Sequence, residues 1–568
     1  MSVPVTENPS ADDTAGAAVA QDEKKNPYGM SDMRILVFMV CAMTTMVLSL
    51  LDESIVASAV LPIVRDLDPA HGIDRFPWLI TAYLLTATAA QPLYGRLSDS
   101  FGPRRVYLTS LATFLAGSAL CATAGSLTQL IVFRAVQGLG GGGLMSMTLI
   151  VIATLYPPKS RAGRSNAGGA LVAAGMIAGP MIGGPLSQEV SWRWIFLVNV
   201  PVAALALAGV TWALKLPPKH TRQSVDVLGS ALLAGATCSL LLAVKAYDHG
   251  GYGPWIGWAY TALAMTASFV VRQKKAADPL IPVALFRDRV FRPAAALQFI
   301  AGFALLALPV FLINYLNIVR GVDLDTVGLH LIPMALGVVV VFFGWGNWIS
   351  RTGRCKPVLT VTTATAVVAT AGLGLSISDL PMWELDVLLV LLGIGLGGIS
   401  QIALFMNQSA AAPEQLGVVT TASRFATMLG TTIGGGLLGV VLSARFASAA
   451  DGLGVTNPEA AAARIAGLPA AGRHRVMDAY AQATGAVLLT AAGLLLLALI
   501  TALLMPDVDL ESADAAHRDG ADAAHRDGAD GADGADGADG ADGADEQQET
   551  PEPAEHATVS TERAEEAA

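Results

Sequence analysis

Two carboxylates stand side by side inside a long apolar stretch, in the run Leu51-Asp52-Glu53-Ser54-Ile55-Val56. Asp52 precedes Pro62 by ten residues, which in a helix places it ~15 Å below the nearer boundary of the stretch. A charged side chain at such depth costs ~2.5–3.5 kcal/mol on insertion scales, so an acid kept there ordinarily faces a cavity and carries a function. Out of water the neutral form gains ground, which suits a group that takes up and gives back a proton. The alternative is an acid held permanently in a salt bridge. Glu53 points about 100° away around the same helix and ranks second.

A cation is available at matching depth. In Leu130-x3-Arg134-x2-Gln137-Gly138-x-Gly140-Gly141-Gly142-Gly143, Arg134 lies about six residues, ~9 Å, into its apolar run. From there a guanidinium can reach Asp52, or snorkel outward. Contact favours the charged acid and separation the neutral one, so a switch between the two could load and release a proton. The glycines permit close helix approach. A third pattern, Gly175-x3-Gly179-Pro180-x2-Gly183-Gly184-Pro185, combines small residues four apart with prolines that bend a helix. Such a helix could seal one route or act as a hinge. A fourth is the charged turn from Gly95 through Asp99 and Gly102 to Arg104 and Arg105. Its acid can meet those arginines, or a helix N-terminus across an interface.

These side chains call for membrane helices to hold them. Fourteen apolar runs near the ~20 residues that cross a bilayer lie between residues 35 and 505. Lys and Arg concentrate in the even-numbered loops between them, which places those loops and both termini in the cytoplasm. A fainter copy of the charged turn, Gly346-Asn-Trp-Ile-Ser-Arg-Thr-Gly353-Arg354, lies between runs 10 and 11, where the first lies between runs 2 and 3. Two six-span halves need an offset of six, so two extra spans sit between them, a two-half plan that transporters often use. The expected organisation is a cytoplasmic tail over 1–33, a six-helix bundle over 34–214, two inserted helices over 215–275, a second six-helix bundle over 276–506 and a disordered acidic cytoplasmic tail over 507–568. The fold class is therefore an all-α integral membrane protein of fourteen helices.

Composition narrows the classes further. The chain is 53% hydrophobic and only 14% charged, with mean hydropathy +0.54, too apolar for a soluble multidomain protein. The net charge is −11, but residues 507–568 hold twenty acids and three arginines, −17, which leaves +6 on residues 1–506. The basic residues are spread over many turns, a pattern that argues against nucleic-acid binding. Cys41, Cys121, Cys238 and Cys355 are isolated, with no metal or disulfide spacing. Residues 1–33 lack a signal peptide's order, so the first span is expected to target the chain. No phosphate-binding Gly-x4-Gly-Lys-[Ser/Thr] loop and no catalytic constellation occur. A non-enzyme with no cofactor and no metal is expected. The tail, with ADAAHRDG at 513–520 and 521–528 followed by Gly-Ala-Asp triplets, cannot build an apolar core.

The four motifs, in this order, resemble those of the major facilitator superfamily. The Gly175–Pro185 pattern is similar to the motif typical of its antiporters. Asp52 with Leu61-Pro62, Trp192-Arg193-Trp194-Ile195-Phe196 with Asn199-Val200-Pro201, and Ala277-Asp278-Pro279-Leu280-Ile281-Pro282 resemble the fourteen-helix drug:proton antiporter branch, the EmrB/QacA-like proteins. The resemblance implies alternating access between two bundles and export driven by inward proton flow. It implies Asp52 as proton site, Arg134 as its modulator, and Asp99 as a latch toward the start of helix 13 near Gly417–Thr420. Ser100, Pro103 and Asn317 depart from the family pattern.

Acids well inside apolar runs are absent from spans 9–14, while Arg424 lies about nine residues into span 13. It could meet an anionic substrate or pair with a carbonyl or a neighbouring helix. Asn199, Asn314, Tyr315, Asn317, Gln401, Asn407 and Gln408 are the remaining polar candidates for a substrate wall. The reading that fits best is a monomeric, proton-gradient-driven exporter of amphipathic drugs, antibiotics or toxic small molecules in the plasma (inner) membrane. An importer or facilitator of a small metabolite on the same fold is the first alternative. A non-transporting receptor or scaffold acting through the acidic tail is the second.

Overall fold

The computed structural model describes residues 30–69, 72–156, 186–216, 226–248, 252–276, 279–305, 307–322, 327–412, 415–450, 470–508 and 510. Among these the regular structure is helical, with no strands. In chain order the long helices are α1 (Asp32–Ser58), α2 (Pro77–Phe101), α3 (Pro103–Ala122), α4 (Leu127–Leu155), α5 (Asn199–Ala213), α6 (Val227–Asp248), α7 (Tyr252–Lys275), α8 (Phe291–Leu305), α9 (Ala307–Ile318), α10 (Ile332–Thr352), α11 (Lys356–Ser376), α12 (Met382–Ala410), α13 (Leu416–Ala449) and α14 (Ala470–Leu504). Helices α8 and α9 belong to one apolar span, Phe291–Ile318.

Among the described residues, ten helical spans are long and apolar enough to cross a membrane. Helices α2, α6 and α7 have 25, 22 and 24 residues, bilayer length, but fall outside that ten. The fifth run expected from the sequence, with Gly175, Gly179, Pro180, Gly183 and Gly184, lies outside the described residues except at its end, so the total of fourteen remains an expectation. Leu205, Leu263, Val368 and Leu375 are among the large apolar side chains left exposed, as hydrocarbon-facing helices require.

The two halves repeat each other's packing. Helices α2 and α3 lie against α4, α5 lies against α3, and α1 touches α4; in the same way α10 and α11 lie against α12, α14 against α11, and α8 against α12. Glycine spacing explains the match. On α4, a Cβ on Gly138 or Gly142 would stand 2.4 or 2.3 Å from the carbonyls of Tyr83 or Ala87 on α2, and one on Gly140 2.3 Å from the backbone of Phe114 on α3. On α12, Gly393 meets the Met334 carbonyl of α10 at 2.0 Å, and Gly395 and Gly398 meet Ala366 and Thr362 of α11 at 2.5 Å. Gly138, Gly140, Gly142 and Gly143 therefore recur as Gly393, Gly395, Gly397 and Gly398, in the same spacing. This is an internal repeat as legible as the charged turn.

Helix ends are set by local chemistry. Gly102 (φ 84°) ends α2 and opens α3, with Pro103 next, and Gly353 (φ 67°) closes α10 before Pro357 enters α11. Both are the second glycine of the repeated turn, and both need the backbone region that glycine tolerates. The Ser126 hydroxyl accepts the Gln129 amide at the start of α4. Asp288 accepts the amides of Val290 and Phe291 before α8 at 2.8 and 2.7 Å.

Helix α13 joins the halves, since it packs on α2 and α4 across the interface and on α8, α12 and α14 within its own half. The hairpin of α6 and α7 leans on this junction: α6 touches both α2 and α13, and Leu233 and Phe269 share a core with Leu285, Phe291 and Val418. The C-terminal core reaches past the expected boundary at 506, because Val508 and Leu510 are buried in it.

The glycine geometry predicts unequal costs for one added methyl. Gly142→Ala drives a Cβ toward a backbone carbonyl, whereas at Gly397 the nearest atom is a Val338 methyl 3.3 Å away. The expectation is a loss of about 1–3 kcal/mol for Gly142→Ala and a smaller one for Gly397→Ala. Thermal unfolding in detergent checks this by the order of the two Tm values.

Candidate functional site

Four helices converge on Asp52. It lies on α1, facing Arg134 and Gln137 one turn apart on α4, Ser118 on α3, and Asn199, the first residue of α5. Arg134 donates through Nη1 to Asp52 Oδ2. Gln137 Nε2 and Asn199 Nδ2 each donate to Asp52 Oδ1 at 2.8 Å. The Ser118 hydroxyl gives its proton to the Phe196 carbonyl at 3.0 Å and so can only accept from Gln137 and Asn199, at 3.1 and 3.2 Å. That commitment sets the orientation of both amides. The Gln137 oxygen takes Arg134 Nη1 at 3.0 Å and the Cys121 thiol at 3.4 Å.

Aromatic rings cover the guanidinium. Its carbon stands 4.2 Å from the Tyr83 ring centre and 5.9 Å from that of Phe196. Tyr83 in turn shares a hydrogen bond with Ser49 on α1 at 3.1 Å. Gly141 makes room for this ring, since a Cβ there would fall 2.2 Å from the Tyr83 hydroxyl. Arg134 Nε has no hydrogen-bond partner among the described residues.

The expectation that Asp52 faces an aqueous cavity needs correction for this conformer: the Asp52 and Arg134 side chains are 0% and 1% exposed. The reason is the two amide donors. With Arg134 alone the carboxylate would keep unfilled lone pairs and attract water; Gln137 and Asn199 fill them. Every contact is one that a carboxylate accepts. Of the alternatives for Arg134, inward contact is the one observed. Asn199, a candidate for the substrate wall, belongs to this cluster. The place of Gln137 one turn after Arg134 is a sequence signal for this cluster, whereas Tyr83 and Ser118 carry none beyond polarity in apolar runs. The side chain of Glu53 lies outside the described residues.

Asp99 marks a second polar junction. Its Oδ1 accepts the Gly417 amide at 3.1 Å and its Oδ2 the Val418 amide at 3.0 Å, so the end of α2 caps the start of α13 in the other half. Gly95 and Gly417 allow this, since a Cβ on either would come 2.6 Å from the other's carbonyl. Of the meetings open to Asp99, the helix N-terminus is the one the described contacts spell out. Arg104 Nη2 instead donates to the Thr211 carbonyl near the end of α5 at 3.2 Å, and Arg105 is exposed.

The other polar candidates are dispersed. Asn407 and Gln408 tie α12 to α13 through Ser423 and Thr420, at 2.9 and 3.0 Å. Arg424, half-buried on α13, points across the junction, with Nη2 2.7 Å from the Met145 sulfur of α4. Asn314 and Gln401 are half-buried. Tyr315 and Asn317 serve local structure: the Tyr315 hydroxyl donates to the Ile377 carbonyl and receives Arg320, and Asn317 donates to the Val322 carbonyl at 2.9 Å. Trp192 and Arg193 both bind Asp66, at 3.0 and 2.7 Å, and those hydrogen bonds, Arg193 first, hold its carboxyl below the usual range.

Two helical halves that repeat one packing scheme, with polar clusters in one half and across the junction, define the fold of a membrane transporter. The family model described as Major Facilitator Superfamily matches residues 42–435. The multidrug transporter protein MdtP of Bacillus subtilis (strain 168) is 33% identical over 70% of this chain and 74% of its own length. Multidrug resistance protein 3 of the same organism is 29% identical over 81% of this chain and 92% of its own. Among solved structures, the human organic anion transporter MFSD10 aligns with a TM-score of 0.55 at 17% identity, over 82% of this chain and 99% of that one. The proton:xylose symporter XylE aligns with a TM-score of 0.54 at 12% identity, over 84% and 99%. The chain belongs to the major facilitator superfamily. It is a multi-pass membrane protein and a transporter rather than an enzyme.

Two outcomes follow from the geometry. Arg134→Met leaves Asp52 buried without its cation and should cost about 3–5 kcal/mol, whereas Asp52→Leu with Arg134→Met should recover much of that loss, because both charges leave together; a double-mutant cycle on thermal stability reads the difference. Asp99→Ala removes two charge-assisted bonds from the α2–α13 contact. A cysteine at Val418, 3% exposed, should then react with an impermeant maleimide about tenfold faster than in the Asp99 background.

Proposed function

We propose that the chain exports amphipathic small molecules, drugs or antibiotics among them, in exchange for protons, by alternating access between its two halves. The buried Asp52–Arg134 pair is the observation that carries proton coupling. Relatives whose names are multidrug transporters support the direction of transport, as does the tetracenomycin C resistance and export protein of Streptomyces glaucescens, 29% identical over 70% of this chain. On this reading Asp52 is the proton site, Arg134 its modulator and Asp99 a latch that holds α2 to α13. Export takes place in the plasma (inner) membrane, with both termini cytoplasmic, by a monomer that uses the proton gradient and no cofactor.

In the conformer described Asp52 and Arg134 are paired, the arrangement a carboxylate favours. A proton reaching Asp52 replaces the negative end of the pair by a neutral acid. The attraction that draws α1 and α4 together through Arg134 is then lost, while the amides of Gln137 and Asn199 face an oxygen with fewer lone pairs to offer. Protonation thus weakens the contact it depends on, and the coupled step is the opening of this cluster to water. Among the substrate candidates, Arg424 faces Met145 across the junction, and the two form a polar and soft apolar stretch of wall.

The test is export by reconstituted protein under an imposed proton gradient, with an amphipathic aromatic dye as probe. Asp52→Asn is expected to insert normally, to lose uphill export and to keep downhill equilibration of the dye. Unchanged uphill export by that variant overturns the proton assignment. Gradient-driven uptake in place of export overturns the direction.

A further inference from the structure

One end of the bundle carries a group of exposed arginines, and the acidic tail begins there. Asp507 Oδ1 accepts the Lys356 amide at 3.1 Å, so the first residue of the tail caps α11. Val508 and Leu510 follow it into the C-terminal core at 7% and 0% exposure. The chain is therefore pinned beside the α10–α11 turn, where Arg351 and Arg354 are exposed. The start of α8 shares this end, because Leu285, Asp288 and Phe291 line one cavity of about 210 Å3 with Ala411 and Gln415 at the α12–α13 junction. Arg287, Arg289 and Arg292, all exposed, flank that start. None of these five arginines forms an ion pair among the described residues.

We propose that residues 511–568 fold back onto this basic end as an electrostatic strap, running from the Asp507 anchor past Arg351 and Arg354 toward Arg287, Arg289 and Arg292. Complementary charge argues for this occupant: twenty acids and three arginines fall within residues 507–568, against a body of net +6. Reach is sufficient, since a flexible chain of this length has an end-to-end distance of roughly 40 Å. Tethering also holds the acids at millimolar effective concentration beside the arginines, an advantage no free polyanion has. Aspartates repeated every third residue over Asp527–Asp545 present charge without a required register, so the contact is polyelectrolyte in character and screened by salt.

The experiment uses the full chain, isotope-labelled, in nanodiscs of neutral phosphatidylcholine. A free tail gives sharp Ala, Asp and Gly amide resonances, and a tail held on the slowly tumbling particle gives broadened ones. The expected result is broadening at about 20 mM salt, where the screening length exceeds 20 Å, and recovery of sharp signals at about 0.5 M. The variant R287Q/R289Q/R292Q/R351Q/R354Q is expected to give sharp signals already at low salt. Sharp signals from the unmodified chain at low salt overturn the proposal, whatever the variant does. Broadening that persists at high salt also overturns it, because the contact is then not electrostatic. Discs containing phosphatidylglycerol are expected to show the same low-salt broadening; sharp signals there would assign the basic end to lipid headgroups in a bilayer and overturn the strap.

Discussion

A carboxylate and a guanidinium held together away from water are the interaction on which the first half of this protein is built. Neither charge is tolerable alone at that depth. Their mutual attraction therefore constrains every neighbour: α1 must present Asp52 to α4, α4 must lie close enough for Arg134 to reach, and α5 must begin where Asn199 can fill the second carboxylate oxygen. The rings of Tyr83 and Phe196 complete the enclosure. Removing either charge by itself leaves its partner buried and uncompensated.

Close helix approach is the second constraint, and the halves meet it alike. An arginine reaching sideways from α4 is useful only if α4 lies nearly backbone to backbone with α2 and α3, and Gly138, Gly140 and Gly142 remove the side chains that would prevent it. The second half keeps the same glycines on α12 but has Leu389 one turn before the first of them, close to the place Arg134 holds in the first half. Packing has been preserved in both halves, while the buried charge pair belongs to one.

Carboxylates at helix starts form the third pattern. Asp99 caps α13, Asp507 caps α11, Asp288 caps α8, and Asp226 accepts the Gly229 amide in the first turn of α6 at 2.9 Å. Each supplies an acceptor to amides that a helix cannot satisfy internally and a negative charge to the positive end of its dipole. Three act close in sequence or on their own half. Asp99 crosses from one half to the other, so its bond is the one in this set that a relative movement of the halves must break.

Much of this was legible in the amino-acid sequence. Apolar runs of bilayer length, glycines at four-residue spacing and a charged turn written twice dictate a two-half helical membrane protein, because each is a local requirement that no distant contact can waive. Asp52, Arg134 and Asp99 were visible for the same reason, as charges where charge is costly. Tertiary structure alone decided how they are used: whether Asp52 meets water or cation, which helix start Asp99 caps, and that Asn199 serves the ion pair while Tyr315 and Asn317 serve local turns. Those outcomes depend on which faces of separate helices come together, and a helix's own sequence states its apolar and polar positions without stating the azimuth at which a neighbour arrives.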